Sequence, residues 1–378
     1  MSHIPYTRAP VRLAFLLLLQ ALGIGLPVAG AAPGADSAEP NSQADAPGGP
    51  AILTGAGATF PAPLYSHLFD AYTAMTGVRV TYSAVGSGRG IAELLANRVD
   101  FGATDAYIPD EELRRIDRGI VHIPTCLGAV AVVCNLPAPV DGQLRLTPEN
   151  LVHMYTGSIS TWADARLARD NPGLELPNLE ITAIHRLEAS GTTHIFTEYL
   201  AKVASYWRVH VGWGKRIRWP VGMGVEGNEG VTRYVRRIPG SIGYVELSRS
   251  ESDHLQVAAI RNRSGEYIRP TVESVKAAVP VDLPDDLRIS ITDAPAPGAY
   301  PICAFTYLIA AQEQAYDNRT RKRAQALGDL LWWMTHTGQG FLGGMSYLPL
   351  PPEAAGQVES LLRSLTYSGE PLTSGHIE

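Results

Sequence analysis

The sequence predicts an α/β fold with enough chain for two domains. Three observations predict it. The chain has 378 residues, 45% of them hydrophobic and 18% charged, which suffices for two buried cores. Short apolar, β-rich runs alternate with helical patterns along most of its length. Glycine-rich turns stand where predicted strands give way to predicted helices, the places where open α/β sheets present backbone amides to ligands.

The first segment reads as an export signal. Arg8 and Arg12 precede the apolar run Leu13 to Leu19, and Ala29-Gly30-Ala31 offers a cleavage site before Ala32. Gln20, Gly23, Gly25 and Pro27 interrupt the run and leave it short for a bilayer span. The first cysteine is Cys126, so no thiol stands where a lipid could be attached after cleavage. A signal peptide over 1–31 and a soluble periplasmic protein without a lipid anchor are therefore expected. Residues 32–50 are dense in Ala, Gly, Pro, Ser, Asp and Glu; they lack large apolar groups and read as a flexible leader. The folded part begins near Ala51, where Ala-Ile-Leu-Thr starts a strand.

Beyond it, Val78 to Tyr82 reads as a strand, Ile91 to Asn97 as a helix, and Phe101 to Thr104 and Ala129 to Cys134 as strands. Ile181 to Ile184 and Ile242 to Val245 are strand-like, with the amphipathic His194 to Val203 between them. After Pro295 and Pro297, Ala304 to Ala311 reads as a buried strand and Ala324 to His336 as a helix. A formal charge of −6 and a pI near 5.9 provide no field for a polyanion, which argues against nucleic acid as a partner. The ten histidines form no His-Glu-x-x-His or comparable cluster, and Cys126, Cys134 and Cys303 fit no metal-ligand spacing; an oxidising compartment permits one disulfide among them, and buried thiols acting as small hydrophobes are the other reading.

Three strand-to-helix turns share a chemistry. Gly55-Ala56-Gly57-Ala58-Thr59-Phe60-Pro61 leads into Leu64 to Met75, Gly86-Ser87-Gly88-Arg89-Gly90 into Ile91 to Asn97, and Ser190-Gly191-Thr192-Thr193 into Ile195 to Leu200. Each sets a hydroxyl and small residues where unpaired N–H groups gather, an arrangement that binds tetrahedral oxyanions without lysines. Ser and Thr also cap helices and Gly also serves turns, so each turn alone is ordinary. None matches the phosphate loop of nucleotide hydrolases: Gly214-Lys215 is followed by Arg216.

Taken together, Gly55 to Pro63, Val99 to Ala106, Ala189 to Thr193, Trp219 to Gly222, Gly227 to Gly230 and Pro239 to Glu246 resemble the periplasmic phosphate-binding proteins of bacterial ABC-type uptake systems, in the same order over residues 52–365. The resemblance implies a two-lobed periplasmic-binding-protein fold of type II, with phosphate in the cleft between lobes and two crossover strands at the hinge. It also implies a receptor that is not an enzyme and needs no cofactor, a monomer that delivers phosphate to membrane permease subunits and their ATPase.

Residue by residue, the resemblance places Thr59 and Phe60 as amide donors, with the Thr59 and Ser87 hydroxyls added. Arg186 stands as the family's arginine, its planar fork suited to two parallel bonds to one oxyanion, and Ser190, Gly191 and Thr192 join it on the second lobe, opposite Thr59 and Ser87 on the first. Asp105 is the carboxylate that must accept a proton from the ligand; phosphate has one to give and sulfate has none. Two departures stand out. Glu188-Ala189 occupies the place of the family's frequent Asp-Gly, with Glu188 expected to pair with Arg186. Arg89 stands in the Ser87 turn where many relatives carry a small residue, and is expected to point to solvent. The resemblance puts the first lobe at 51–126 and 304–378 and the second at 127–303, with crossings near Pro124 to Leu127 and Pro301 to Phe305. Cys126 and Cys303 fall at these crossings, so a disulfide tying the hinge strands is an expectation, with Cys134 in the core. A secreted phosphate-ester hydrolase, with Ser190 as nucleophile and His185 or His194 as base, and a receptor for another oxyanion such as sulfate are the alternatives.

Overall fold

The computed structural model describes residues 51–137 and 144–372; the expected signal peptide and leader lie outside the described residues. Nine strands form one mixed sheet: β1 (Ile52–Gly57), β2 (Arg79–Ala84), β3 (Phe101–Thr104), β4 (Ile120–Cys134), β5 (Thr182–Arg186), β6 (Met223–Val225), β7 (Ser241–Glu246), β8 (Gln256–Val257) and β9 (Cys303–Ala311). Their order is β2-β1-β3-β9-β4-β7-β5-β6, with β8 also paired to β4. The helices that bear on the site are α1 (Ala62–Thr76), α2 (Ser87–Leu95), α3 (Gly191–Val203), α4 (Gly227–Arg237) and α5 (Arg321–Thr335).

β4 is the strand that both halves of the sheet share. From Ile120 to Ala129 it runs antiparallel to β9, and from Val130 to Cys134 it runs antiparallel to β7. Its near-continuous apolar sequence follows from this central position, since both faces are covered. Pro124 stands in this central strand at a bulge: Cys126 pairs with Thr306 and Pro124 with Tyr307, leaving Thr125 as the extra residue. A bulge is where a ladder tolerates a residue with no N–H to donate. The parallel pairs β1 with β2 and β3, and β5 with β6 and β7, carry the crossover helices.

Two helices begin earlier than the apolar periodicity predicts: α2 at Ser87 instead of Ile91, and α3 at Gly191 instead of His194. The glycine and hydroxyl residues there carry no hydrophobic signal although their backbone is already helical. Those turns are thus the first turns of the helices, and their N–H groups are the ones a helix leaves unpaired. β4 likewise starts nine residues before Ala129, because the pattern before that residue is broken by His122, Pro124 and Thr125.

The expected disulfide is absent: Cys126, Cys134 and Cys303 are free and buried. Cys126 lies opposite Thr306, while Cys303 lies opposite Ala129. Three residues of stagger along extended strands amount to about 10 Å, beyond the reach of a disulfide. The other reading, buried thiols that fill space, holds for all three.

The first half is fastened by a carboxylate. Asp100 is fully buried and accepts from the Thr54 N–H at 2.6 Å, from Arg323 Nε at 2.7 Å and Nη2 at 2.8 Å, and from Arg319. These bonds join β1, β3 and the start of α5, and the arginines hold the carboxyl below its usual range although burial pushes the other way. Asp100→Ala removes the charge that two buried guanidiniums share. Urea unfolding should show a loss of about 3–5 kcal/mol.

Candidate functional site

At the C-terminal end of β1, Gly57 has φ +150°, and a Cβ there would lie 2.2 Å from the Ala103 carbonyl oxygen. Only glycine lets β1 run this close to the end of β3. Thr59 and Phe60 follow, with Pro61 at the entrance to α1. Phe60 is buried and contributes backbone alone; its carbonyl accepts from Tyr347 Oη at 2.7 Å. Ser87 opens α2 after Gly86, whose φ is +92°. Asp105 directly follows β3 and is 3% exposed.

Across the gap, β5 ends at Arg186, and Ser190 caps α3 by accepting the Thr193 N–H at 3.3 Å. The Ser190 hydroxyl proton stays available to donate, although its oxygen already serves the helix. Among the described residues, no protein acceptor takes the N–H of Thr59, Phe60, Ser87, Gly191 or Thr192. Phe60, Ser87, Gly191 and Thr192 are buried and Thr59 half-buried, and amides at buried positions without an acceptor are rare enough to mark a place that expects one.

The two halves meet here. Arg186 Nη2 reaches Thr59 Oγ1 at 3.0 Å, and Nη1 reaches Thr192 Oγ1 at 3.4 Å. Ser87 Oγ lies 3.4 Å from Asp105 Oδ2, and Thr306 donates to Asp105 Oδ1 at 3.0 Å. Gly88 N–H donates to the Ala189 carbonyl at 3.0 Å. A Cβ on Gly191 would fall 2.5 Å from both Asp105 Oδ2 and Ser87 Oγ. The structure thus brings all eight residues of the expected set to one place; Phe60 and Ser190 take part through the turn and the cap described above.

Burial pushes the Asp105 carboxyl up to about 7, against the Thr306 and Ser87 hydrogen bonds and the charges of Arg186 and Lys215 that pull it down. Arg186 is itself 2% exposed. Glu188 accepts from its Nε at 2.7 Å and from its Nη2, so the longer acid in place of the family's Asp still pairs with the arginine. Ala189 needs no left-handed backbone; it is not among the residues with positive φ. Arg89 points to solvent and pairs with Glu93 one turn on.

Four contributors escaped the sequence reading. Thr306 lies in an apolar strand and shows no polar pattern; β9 pairs antiparallel with β3, Tyr307 opposite Thr104, and this register sets the Thr306 hydroxyl against Asp105. Asn228 and Glu246 fall inside motifs that carried the resemblance without a role, yet Asn228 accepts from Arg186 Nη1 and donates to Glu246 Oε2. Lys215 registered only as an incomplete nucleotide-loop match. It is half-buried, its carbonyl accepts the Ser190 N–H at 2.8 Å, and burial holds its ammonium below the usual lysine value.

The three residues of the hydrolase alternative are engaged elsewhere. The Ser190 oxygen is engaged with the Thr193 N–H, His185 stacks on Trp219 at 4.7 Å and meets the Arg186 carbonyl, and burial pushes His194 down to about 4. Neither imidazole is hydrogen-bonded to the Ser190 hydroxyl, the contact a base must make with its nucleophile.

A family model described as a PBP superfamily domain matches residues 35–336. A phosphate-binding protein PstS of Xylella fastidiosa is 39% identical over 311 residues, covering 82% of this chain and 84% of its own length. The protein of that name from Methanocaldococcus jannaschii is 34% identical over 310 residues, covering 76% and 79%. Among solved structures, a phosphate-binding protein from Stenotrophomonas maltophilia superposes with a TM-score of 0.63 at 17% identity, over 86% of this chain and 98% of that one. An ABC-type phosphate transport receptor from Vibrio cholerae does so with a TM-score of 0.52 at 16% identity, over 79% and 100%.

Proposed function

The chain belongs to the PstS family of phosphate-binding proteins, and from that premise we propose that it captures inorganic phosphate and delivers it to an ABC-type importer, as a receptor and not as an enzyme. The observation that carries this reading is the convergence of Arg186, five N–H groups without a protein acceptor and one buried carboxyl. A fixed set of donors suits a tetrahedral oxyanion. The single acceptor among them selects an oxyanion that still bears a proton.

Thr59, Phe60, Ser87 and Asp105 bind from one lobe, and Arg186, Ser190, Gly191 and Thr192 from the other. The first lobe consists of 51–126 and 304–378, and the second of 127–303. Supporting this division, β4 changes partner from β9 to β7 between Ala129 and Val130. The hinge lies on the crossover strands near Pro124 to Leu127 and Pro301 to Phe305. Phosphate touched from both sides favours closure, and the closed form is what the permease subunits engage. The Arg8 to Ala31 segment directs export to the periplasm; among the described residues no helix is long and apolar enough to cross a membrane.

Calorimetric titration of the mature protein at pH 8, above the value of about 7 to which burial raises the Asp105 carboxyl, should give one inorganic phosphate per chain and tight binding, with sulfate far weaker. Equal affinity for the two anions would make this a receptor for a different oxyanion. Sustained release of a chromophore from a phosphate ester would revive the hydrolase.

A further inference from the structure

We propose that Asn228 and Glu246 are positioning residues that set phosphate affinity by fixing the Arg186 guanidinium, a proposal that rests on Arg186 being a phosphate ligand. The geometry leading to this is a directed chain of buried hydrogen bonds: Arg186 Nη1 to Asn228 Oδ1, then Asn228 Nδ2 to Glu246 Oε2. Asn228 is 2% exposed and Glu246 1%.

Chemistry fixes the direction of that chain. A guanidinium only donates, so the Asn228 amide must turn its oxygen to Arg186 and its NH2 away. The displaced NH2 then needs a buried acceptor, and the Glu246 carboxyl supplies one. An aspartate at 228 would set a second buried carboxyl against Glu246, and a hydrophobic residue at 246 would leave the amide free to flip and face Arg186 with its own donors.

The same helix end holds the other side of the guanidinium. Glu188 Oε1, which takes Arg186 Nε and Nη2, also accepts the Gly227 N–H at 3.2 Å. Glu188 and Asn228 are both thereby tied to the first turn of α4. Together they occupy all three guanidinium nitrogens from the Arg186 side of the gap, which sets the plane of the fork. Of the donors left over, the one on Nη2 faces Thr59, 3.0 Å away on the opposite side, and the one on Nη1 faces Thr192 at 3.4 Å. With Asn228 removed, the guanidinium would pivot about the Glu188 contact and lose the aim of its phosphate-facing N–H groups.

The test is phosphate titration of the wild-type protein and of Asn228→Leu, Arg186→Leu and the double variant, each with a thermal melt. Asn228→Leu should weaken phosphate binding by roughly tenfold to a hundredfold. In the Arg186→Leu background the same change should cost almost nothing in affinity, because the group it positions is gone, while its effect on the melt persists. Glu246→Leu should mimic Asn228→Leu, and Glu246→Gln, which keeps an acceptor for the amide, should restore affinity to within about threefold of wild type. Unchanged affinity in Asn228→Leu, an equal loss with and without Arg186, or failure of Glu246→Gln to rescue would each overturn the proposal. The Glu246 pair decides it if Asn228→Leu does not fold. Absence of phosphate binding by the wild-type protein would sink the functional reading itself, an outcome distinct from all of these.

Discussion

Replacing Asp105 with asparagine is expected to raise sulfate affinity by about a hundredfold at pH 9, where the wild-type carboxyl is ionised, while changing phosphate affinity by less than about tenfold. The asymmetry follows from the carboxyl's two partners. Thr306 donates to Oδ1, so an asparagine keeps its oxygen on that side and turns its NH2 to the position of Oδ2. That position lies against Ser87 and Gly191, where the anion would sit. A group that repels an unprotonated oxyanion becomes one that donates to it. Phosphate loses an acceptor for its proton and gains a donor for another oxygen, and these effects largely offset each other.

The pH dependence has a definite sign. Burial raises the Asp105 carboxyl to about 7, so the neutral acid is abundant below that pH and disappears above it. Sulfate carries no proton and needs the neutral form; its affinity for the wild-type protein should be flat below pH 7 and fall about tenfold per unit above it. Phosphate brings its own proton and should fall far less steeply up to pH 8. In Asp105→Asn the sulfate slope should vanish. Sulfate titrations at pH 6, 7 and 8 on both proteins decide the matter, and a slope that survives the substitution would place the titrating group elsewhere.

The sequence made the strands and the glycine- and hydroxyl-rich turns legible for different reasons. β3 and β9 are short, fully buried and apolar, so hydrophobicity alone locates Phe101–Thr104 and most of Cys303–Ala311. The turns at Thr59, Ser87 and Ser190 were visible as glycine and hydroxyl residues ahead of amphipathic helices, yet only the ordered series of motifs separated them from ordinary caps. Thr306 and Asn228 stayed hidden because their roles depend on non-local register. The register of β9 on β3 and the packing of α4 against β7 decide where those side chains point, and no window of sequence contains both partners. The disulfide expectation failed on the same ground: two cysteines at two crossings are close in topology, but three register positions separate them along the ladder.

Gly191→Ala should abolish useful phosphate binding, with affinity down by more than about a hundredfold, while leaving the fold intact. Gly191 is the first residue of α3 and does not have a left-handed backbone, so alanine is conformationally acceptable there and, if anything, a better helix former. The damage is across the gap. The added methyl would lie 2.5 Å from Asp105 Oδ2, 2.5 Å from Ser87 Oγ and 2.8 Å from Asp105 Cβ, all on the opposing half. Asp105 and Ser87 are buried and hydrogen-bonded, so neither can retreat without breaking contacts that form the site. The inexpensive response is to hold the two halves apart. Separation in turn takes Arg186 from Thr59 and the α3 amides from the anion. The melt without phosphate should therefore match or exceed wild type, and saturating phosphate, which stabilises a protein in proportion to the logarithm of ligand over Kd, should shift it hardly at all. Small-angle scattering should show contraction on adding phosphate for wild type and none for the variant. Wild-type affinity in Gly191→Ala would mean that the anion is bound without this close approach, and that the contact between α3 and the Asp105 turn is not the element that closure completes.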